Sequence, residues 1–296
     1  MRSLQLADSG NLIESDVPQP VPREGEVLIR VRAAGVTPTE LIWYPTSHTK
    51  SGAKRTRAIP SHEFSGEIAE TGEEVYGMSD WFEEGSLAEY CVTQPALIAP
   101  KPQSLNHAEA ASVPIGALTA WQGLFDRGKL KAGESVLVHG GAGAVGVFAI
   151  QLARSRGAHV ITTVSANNFE FAKVLGADEV IDYKAGPFEE KVRDIDLVFD
   201  AVGGETLRRS WGVLKQNGRL VTVAADGEST QDERTRQAFF IVEPKRDQLV
   251  EIGKLIDAGI LRAIVDTVLP LSRAADAYAG RLERSGRGKM VVSVSV

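Results

Sequence analysis

The spacing of apolar residues divides the chain into regions of different pattern. Up to about Pro102, short apolar runs are interrupted by proline, glycine and charged residues, as in Glu26–Ala34, Phe64–Ala69 and Leu87–Thr93. Such runs are typical of β-strands joined by turns. This region is therefore predicted to be a β-rich domain.

From Ser104 to about Gly259 the pattern changes to short strands that alternate with helices. The predicted strands are Ser135–His139, His159–Val164, Glu179–Asp182, Leu197–Val202, Arg219–Ala224 and Phe239–Val242. The predicted helices are Val145–Arg156, Asn167–Leu175, Phe188–Arg193 and Glu205–Lys215. Strands connected by helices at this spacing pair in parallel through right-handed crossovers. We therefore predict an α/β fold, with a doubly wound parallel sheet covered on both faces.

The C-terminal residues return to a strand pattern. Val265–Leu269 and Lys289–Val296 are predicted strands, and a helix is predicted at Ser272–Leu282 between them. We expect these strands to rejoin the N-terminal β-rich domain, which makes that domain discontinuous. The predicted domains are residues 1–110 with 260–296, and residues 111–259.

The amino-acid composition excludes several classes of protein. The chain has 296 residues, of which 43% are hydrophobic and 24% are charged, which excludes a disordered chain. The formal net charge of −6, without a basic run, argues against a general nucleic-acid binder. Cys91 is the only cysteine, so neither an intrachain disulfide nor a thiolate-rich zinc site can form. We expect a cytoplasmic protein with no signal peptide and no membrane segment.

The most informative segment is residues 136–146, whose sequence is VLVHGGAGAVG. Gly141, Gly143 and Gly146 match the pattern G-x-G-x-x-G where a predicted strand meets a predicted helix. In dinucleotide-binding folds the first glycine permits a tight turn, the second lets a pyrophosphate approach the backbone, and the third lets helix and strand pack closely. The N–H groups at the helix start then bind the anion. We predict a dinucleotide site here; the alternative is a glycine-rich turn without a ligand.

The end of the second predicted strand indicates which dinucleotide is bound. NAD enzymes usually place Asp or Glu there to bind the ribose 2′-hydroxyl, but no carboxylate precedes Glu170 in this stretch. A neutral pocket would not repel a 2′-phosphate, which favours NADP. No arginine lies nearby, so Lys173 and Tyr183 are the candidates for a phosphate partner. Ser165 is compatible with a helix cap as well as with a phosphate ligand.

Several segments match a known family. They are VRAAGVTP (31–38), IPSHEFSGEI (59–68), AEYCVT (88–93), AASVPIGALTAWQGL (110–124), VLVHGGAGAVGVFAIQLA (136–153), LGADEVIDY (175–183), VFDAVGG (198–204) and GRLVTVA (218–224). The chain resembles the medium-chain dehydrogenase/reductase superfamily in its zinc-independent quinone oxidoreductase branch. The resemblance implies a GroES-like β-rich catalytic domain joined to a Rossmann domain that binds NADPH.

By position, the resemblance also implies a set of cofactor-binding residues. The pyrophosphate would be held by Gly140, Gly141, Gly143, Ala144, Val145 and Gly146. The 2′-phosphate would be surrounded by Ser165, Asn168 and Tyr183, with Lys173 nearby. The nicotinamide half would be lined by Thr119, Val202, Ala224, Phe239, Phe240 and Ile241. The chain departs from the family after Gly72, where a longer loop is usual, and no role is assigned there.

Zinc-containing relatives use a cysteine, a His-Glu pair and a further Cys or His as ligands. His62 and Glu63 look like the retained pair, but Thr37 stands at the first cysteine and Pro114-Ile115 at the last ligand. A catalytic zinc needs about three protein ligands. We therefore expect no metal site and interpret His62 as a locally hydrogen-bonded polar residue.

The remaining chemistry favours conjugated carbonyl substrates. Hydride addition to a quinone or an α,β-unsaturated carbonyl leaves an oxyanion that needs only a hydrogen-bond donor and a proton source. Reduction of a simple ketone without metal usually needs a Tyr-x-x-x-Lys helix, and none of the five tyrosines has a lysine four positions later. The predicted function is an NADPH-dependent quinone or enone reductase, with Tyr44, Thr119 and His62 as candidate donors.

Two other functions stay open at this point. One is an alcohol dehydrogenase that uses His62 and Glu63 with a metal, which stoichiometric zinc in the purified protein would favour. The other is a non-catalytic NADPH-binding sensor or RNA-associated scaffold, which would bind NADPH without oxidising it. We also expect a homodimer, from the family pattern and the apolar final strand Val291–Val296, and no nucleic-acid or membrane partner.

Overall fold

The structure, a computed structural model, describes residues 1–294 except for the side chain of Ser229. By their contacts these residues form two compact units. The first unit contains Met1–Ile115, Pro244–Gly259 and the chain from Ala263 onward, and the second contains Gly116–Glu243 and Ile260–Arg262.

The strands, in chain order, are β1 (Arg2–Leu6), β2 (Leu12–Asp16), β3 (Val27–Gly35), β4 (Glu63–Ile68), β5 (Glu74–Met78), β6 (Tyr90–Thr93), β7 (Ile98–Pro100), β8 (Ser135–His139), β9 (His159–Val164), β10 (Glu179–Asp182), β11 (Ile195–Asp200), β12 (Leu214–Thr222), β13 (Val265–Pro270) and β14 (Lys289–Ser293). The helices are α1 (Tyr44–Ser47), α2 (His107–Ala111), α3 (Pro114–Trp121), α4 (Gly146–Ser155), α5 (Phe169–Val174), α6 (Gly204–Ser210), α7 (Asp226–Ser229), α8 (Glu233–Ala238), α9 (Arg246–Asp257) and α10 (Ala274–Tyr278). Among the described residues no helix is long and apolar enough to cross a membrane.

The first unit is built on a seven-stranded sheet. Its order is β13-β14-β3-β4-β5-β7, with β6 also paired to β3, and β1 and β2 form a separate antiparallel pair. Strand β3 alternates as a half-buried strand should: Ile29 and Val31 are fully buried, whereas Arg30 and Arg32 lie near Glu67 on the more open face. The β-rich architecture predicted for this region is confirmed.

The helix α9 belongs to the first unit, although the predicted boundary placed residues 244–259 in the second domain. The buried Tyr76 hydroxyl donates a hydrogen bond to the Leu249 carbonyl at 2.6 Å. The Arg246 guanidinium donates to the Ile98 carbonyl, also at 2.6 Å. These contacts hold α9 against β7 and β5. They join residues far apart in sequence, so the alternation of strands and helices could not predict them.

The final strand β14 is an interior strand. It pairs with β13 in parallel on one side and with β3 antiparallel on the other. The apolar run of Val291–Val294 is therefore explained by burial inside this unit, and it offers no free edge for a second chain. Residues 291–294 therefore do not support the prediction of a homodimer. Ser295 and Val296, the end of the predicted strand, lie outside the described residues. The homodimer itself stays a prediction.

The short connection after Gly72 is a tight hairpin turn. The N–H of Ile68 donates to the Glu73 carbonyl at 2.9 Å, and that of Gly72 donates to the Ile68 carbonyl at 2.8 Å. Gly72 has φ +74°, which glycine adopts at no steric cost. The antiparallel strands β4 and β5 are thereby joined directly.

The second unit is a five-stranded sheet of order β10-β9-β8-β11-β12. Every neighbouring pair in it is parallel. The chain runs from β8 to β9 on one side and later reaches β11 on the other, so the direction of winding changes at β8. This is the doubly wound Rossmann arrangement that the sequence predicts.

The prediction of a sixth strand at Phe239–Val242 is wrong. Only one bridge forms, between Thr222 and Phe239, with the Phe240 N–H donating to the Thr222 carbonyl at 3.1 Å. The side-chain amide of Gln122 takes up both backbone groups of Glu243, at 2.7 and 3.0 Å. Directly after the predicted strand, the backbone is thus bonded by a side chain 121 residues away in sequence.

Three predicted helices are shorter in the structure. Residues 188–193 contain only the 3-10 turn Phe188–Glu190, while residues 205–215 and 272–282 contain α6 and α10. Asp194, with φ +57°, follows the first of these segments, and Gly280, with φ +67°, lies inside the last one, two residues after α10. Left-handed residues cannot continue a right-handed helix.

Candidate functional site

Predicted cofactor residues follow each of the five strands of the second unit. Tyr183 comes directly after β10, Ser165 after β9 and Gly140 after β8. Val202 and Ala224 come two residues after β11 and β12. Because all five strands are parallel, these residues form one row along the carboxyl edge of the sheet. Open α/β sheets bind ligands at this edge, where the winding changes direction.

The glycine turn lies at the centre of this row. Gly140 has φ +80°, so the tight turn is made at Gly140 and not at Gly141 as the motif predicts. A Cβ atom on Gly141 would lie 2.0 Å from Thr162 Oγ1, and one on Gly146 would lie 2.2 Å from the Gly140 carbonyl oxygen. Both positions therefore require glycine because β9 and the turn itself approach so closely.

The turn presents free backbone donors. Gly143 is exposed, and Ala144 and Val145 are half-buried. No described residue accepts a hydrogen bond from the N–H groups of Ala144 and Val145. These donors precede the ten-residue helix α4, whose N-terminus carries partial positive charge. Gly143 leaves room above them, so the turn fits a diphosphate.

The residues predicted around a 2′-phosphate lie beside the ends of β9 and β10. Asn168 donates through Nδ2 to Ser165 Oγ at 3.3 Å, and the Tyr183 N–H donates to the Val164 carbonyl at 3.3 Å. Lys173 forms an exposed ion pair with Glu170 at 3.0 Å.

Sequence reasoning missed a cation in this region. Lys184 Nζ lies 5.8 Å from the centroid of the exposed Tyr183 ring. Its place directly after Tyr183 could have drawn attention to it. It supplies positive charge beside the Tyr183 ring.

The loops after β11 and β12 are tied together by a carboxylate that sequence reasoning also missed. Asp200, fully buried at the end of β11, accepts hydrogen bonds from the Thr222 hydroxyl at 2.7 Å and from the Gly203 N–H at 3.1 Å. Burial raises the pKa of Asp200. The exposed Val202 lies against the turn, with its Cγ2 3.2 Å from where a Cβ of Gly140 would be.

The other residues predicted near the nicotinamide differ in exposure. Thr119 is buried in α3, the helix whose Gly116 lies so close to Ala144 that an added Cβ would be 2.4 Å from its carbonyl oxygen. Phe240 is buried and Ile241 is exposed, while Phe239 is half-buried.

A buried neutral histidine lies directly before the glycine turn. His139 ends β8 and is fully buried, with Nδ1 3.0 Å from Thr163 Oγ1 and Nε2 3.0 Å from Ser210 Oγ. Burial, with a smaller effect from the Arg209 charge, lowers the pKa of His139 to about 3. The imidazole therefore stays neutral near pH 7 and connects β8, β9 and α6.

The first unit contains a buried cluster of charged and polar side chains. Glu40, from the 3-10 turn Pro38–Ile42, is fully buried; it accepts a hydrogen bond from the Tyr278 hydroxyl, and its Oε2 lies 3.0 Å from His62 Nδ1. Burial raises the pKa of Tyr278 well above its usual range. No described residue hydrogen-bonds to the buried Nε2 of His62.

A second buried pair adjoins this cluster. Lys289 donates from Nζ to Glu63 Oε1 and to Thr37 Oγ1, the latter at 3.2 Å. The other Glu63 oxygen accepts the Ile115 N–H at 2.9 Å. Burial raises the pKa of Glu63, and Lys289 partly opposes that effect.

Comparison with known proteins agrees with both units. Residues 23–103 match the alcohol dehydrogenase GroES-like domain family, and residues 175–292 match the zinc-binding dehydrogenase family. A probable zinc-binding oxidoreductase, named mitochondrial, from Arthroderma benhamiae is 32% identical over 306 residues, which cover 94% of this chain and 91% of its own length. The chain belongs to the medium-chain dehydrogenase/reductase superfamily.

Two further comparisons indicate the branch of the superfamily to which this dehydrogenase/reductase belongs. The mitochondrial NAD(P)H oxidoreductase RTN4IP1 of Danio rerio is 32% identical, covering 91% of this chain and 84% of its own. The solved quinone oxidoreductase of Coxiella burnetii superposes with a TM-score of 0.90 at 30% identity, covering 100% of this chain and 99% of that one. The chain thus lies in the quinone oxidoreductase-like branch. The cytoplasmic location stays a prediction.

The donor set of this dehydrogenase/reductase does not fit a catalytic zinc. Glu63 and Thr37 both accept hydrogen bonds from Lys289. Cys91 is buried in β6, and burial raises the pKa of its thiol, so a thiolate is disfavoured. Within residues 1–294 no group of three or more His, Cys, Asp or Glu is arranged to hold a metal ion.

Tyr44, the first predicted donor, lies in this same unit but outside the buried cluster. Its side chain is 57% exposed. Its ring stacks on His48, with the ring centroids 4.4 Å apart. Among the described residues, none forms a hydrogen bond with its hydroxyl.

Proposed function

We propose that this member of the superfamily is an NADPH-dependent oxidoreductase that transfers hydride to a quinone or an α,β-unsaturated carbonyl without a metal. The observation that carries the proposal is the row of residues along the carboxyl edge of β8–β12, with the glycine turn at its centre. The N–H groups of Ala144 and Val145 and the N-terminus of α4 would hold the diphosphate. Val202, Ala224 and Thr119 would border the nicotinamide half.

The preference for NADPH rests on charge at one end of that row. Ser165 and Asn168 place neutral hydrogen-bonding groups after β9, where an NAD enzyme carries a carboxylate. Lys184, over the Tyr183 ring, contributes positive charge. A 2′-phosphate would meet hydrogen-bond donors and a cation there. The relative named NAD(P)H oxidoreductase supports the nicotinamide cofactor itself.

The reaction class rests on the donor set of the first unit. NADPH, when bound, supplies hydride, and the protein must then supply orientation and a proton. Reduction of a conjugated carbonyl needs no Lewis acid because the charge is delocalised over the enolate or phenolate. The occupied oxygens of Glu63 and Thr37 favour such a metal-free reaction. The relative named quinone oxidoreductase supports the same substrate class.

The test is an assay of NADPH oxidation with quinones, enones and 2-enals, repeated with NADH, on protein whose metal content has been measured. We expect oxidation with quinones or enones, faster with NADPH than with NADH, by protein without stoichiometric zinc. Equal rates with both dinucleotides would refute the NADPH preference. Activity confined to alcohols and dependent on zinc would refute the reaction class, and tight NADPH binding without oxidation by any acceptor would indicate a sensor.

A further inference from the structure

The side chain of Gln122 pairs with the backbone of a distant residue as a neighbouring strand would. Its Nε2 donates to the Glu243 carbonyl at 2.7 Å, and its Oε1 accepts the Glu243 N–H at 3.0 Å. Gln122 is itself buried, with 4% of its surface exposed. An amide offers both a donor and an acceptor, so one side chain fixes both backbone groups of Glu243.

Gln122 is the first residue of a π-helix that continues from α3. The π-helix covers Gln122–Arg127, and the Gly128 N–H donates to the carbonyl of Gly123, five residues earlier, at 2.8 Å. Such wide turns are rare and occur frequently at functional sites. A wide turn inserts an extra residue, so it changes which side chains face a neighbouring segment.

Two more residues of the π-helix contact the segment that ends at Glu243, residues 239–243. A Cβ atom on Gly123 would lie 3.1 Å from Cζ of Phe240, so glycine gives the ring its room. The Arg127 guanidinium lies 5.8 Å from the centroid of the Phe240 ring. The π-helix therefore contacts the 239–243 segment at several points.

The 239–243 segment is also attached nearer its start. The Phe240 N–H donates to the carbonyl of Thr222, the last residue of β12, at 3.1 Å. Between Phe240 and Glu243, Ile241 is 56% exposed, and no described residue forms a hydrogen bond with its N–H or carbonyl group. The segment thus offers an exposed apolar side chain and unpaired backbone groups beside the carboxyl end of β12.

The order of the strands places this segment within the proposed cofactor site. Strands β10 and β9, which precede the residues proposed around the 2′-phosphate, lie on one side of the glycine turn. Strands β11 and β12 lie on the other side, and the 239–243 segment bridges to the end of β12. A dinucleotide whose diphosphate is bound at the turn therefore has its nicotinamide half on the side of this segment.

We propose that Gln122 is a positioning residue, which holds the 239–243 segment against the nicotinamide half of the bound dinucleotide. This inference rests on the proposed function and adds the residue that fixes one wall of the nicotinamide site. All of the contacts lie within the second unit. Without the two Gln122 bonds Glu243 is less firmly held, so Ile241 keeps its place beside the nicotinamide ring less accurately.

The experiment compares two ligands of the full chain by calorimetry. One is NADPH, and the other is 2′-phospho-ADP-ribose, which has the same diphosphate and 2′-phosphate but no nicotinamide. Gln122→Met keeps the length of the side chain and removes both hydrogen bonds. The NADPH dissociation constant should rise about tenfold, whereas that of 2′-phospho-ADP-ribose should stay unchanged. A general loosening of the fold would weaken both ligands.

The fluorescence of bound NADPH gives a second measurement. The emission of a reduced nicotinamide rises when its ring is immobilised. Gln122→Met saturated with NADPH should therefore show a smaller rise than saturated wild type. An equal rise in both proteins would mean that Gln122 does not act on the ring.

Gln151→Met is the matched control. Gln151 is also buried, and it pairs with a distant backbone in the same way: Nε2 donates to the Arg262 carbonyl at 3.2 Å, and Oε1 accepts the Arg262 N–H at 2.9 Å. Arg262 does not follow a strand of the second sheet, so it lies outside the row at the carboxyl edge. Gln151→Met should lower the melting temperature as Gln122→Met does, and it should leave the affinity for both ligands unchanged.

The outcomes separate this inference from the proposed function. Unchanged NADPH affinity in folded Gln122→Met, or an equal loss of affinity for both ligands, would refute the inference alone. An equal rise of the NADPH dissociation constant in Gln151→Met would do the same. If Gln122→Met does not fold, Gln122→Glu takes its place, because it keeps an acceptor for the Glu243 N–H, and the same selective loss of NADPH affinity is expected. A wild type that binds neither ligand would refute the proposed function and this inference with it.

Discussion

The carboxyl edge of the second unit and the buried cluster of the first are assembled in opposite ways. The edge is made mainly of backbone groups that lie within a few residues of strand ends, such as the N–H groups of Ala144 and Val145. The cluster is made of side chains that are far apart in sequence, since Glu40 meets Tyr278 238 residues away and Glu63 meets Lys289 226 residues away. A backbone site needs glycines at fixed spacing and is visible in sequence, whereas a side-chain site is assembled only by the fold.

The largest expected effect is on the stability of the cluster. Lys289→Met would leave the Glu63 carboxylate buried without its cation, which should lower the free energy of unfolding by about 3–5 kcal/mol. Denaturant unfolding followed by tryptophan fluorescence measures this. The double variant Lys289→Met/Glu63→Gln should recover most of the loss.

Lys254→Met is the control for that experiment. Lys254 forms an exposed ion pair with Glu251 at 2.6 Å, and removing it should cost less than about 1 kcal/mol. Equal losses in the two single variants would mean that burial does not distinguish the pairs.

At the carboxyl edge, the expected effect is on binding. Gly143→Val would place a side chain over the free N–H groups while meeting only the Gly140 carbonyl, 3.3 Å from the new Cβ. NADPH affinity should fall by about a hundredfold, or about 2.7 kcal/mol, with the melting temperature little changed. Gly146→Ala, whose Cβ would collide with the turn backbone, should lower both quantities. Unchanged NADPH affinity in a folded Gly143→Val variant would show that the diphosphate does not bind at these N–H groups.

The support beneath the turn should show in the pH dependence of stability. In the unfolded chain His139 binds a proton below its ordinary pKa of about 6.5, whereas burial lowers the pKa of the folded form to about 3. The unfolded state thus binds more protons as pH falls, and wild type should lose about 1.6 kcal/mol of stability between pH 6.5 and pH 5 from this group. His139→Asn should show a flatter profile in the same denaturant titrations. Parallel profiles would contradict a neutral buried His139.

Cofactor preference should change by a smaller amount. Ser165→Asp would put a carboxylate after β9, where it repels a 2′-phosphate and can bind a 2′-hydroxyl. The NADPH dissociation constant should rise about tenfold, or about 1.4 kcal/mol, while that of NADH falls or stays level. Titrations of both nucleotides measure this, and an equal change for both would exclude Ser165 from the 2′ position.

The smallest effect is expected at Tyr44. Its exposed ring stacks on His48 outside the buried cluster, so Tyr44→Phe should change kcat by no more than about twofold, the size of an ordinary surface substitution of about 0.5 kcal/mol. Steady-state kinetics with 1,4-naphthoquinone compare it with wild type. A loss of about a hundredfold in Tyr44→Phe would assign the proton transfer to Tyr44.

The same contrast explains how far sequence reasoning reached. Strands β8–β12 and the glycine turn were predictable because hydrophobic pattern and glycine spacing are local. The position of the turn at Gly140 was missed, because the motif spacing is counted from Gly141 and does not show which glycine has a positive φ. The extra strand at Phe239–Val242 had the right residues, but it bridges to Thr222 through Phe239 alone, and the distant Gln122 bonds the backbone of the next residue, Glu243. No period or spacing relates Glu40 to Tyr278, so His62 could be named as a candidate without its neighbours.

The most direct test of the account is titration of the wild-type chain and Gly143→Val with NADPH, followed by calorimetry. The account predicts one saturable site per chain in wild type and binding weakened about a hundredfold in the folded variant. Wild-type protein that takes up neither NADPH nor NADH would contradict the claim that the backbone donors at the start of α4 hold a nicotinamide dinucleotide.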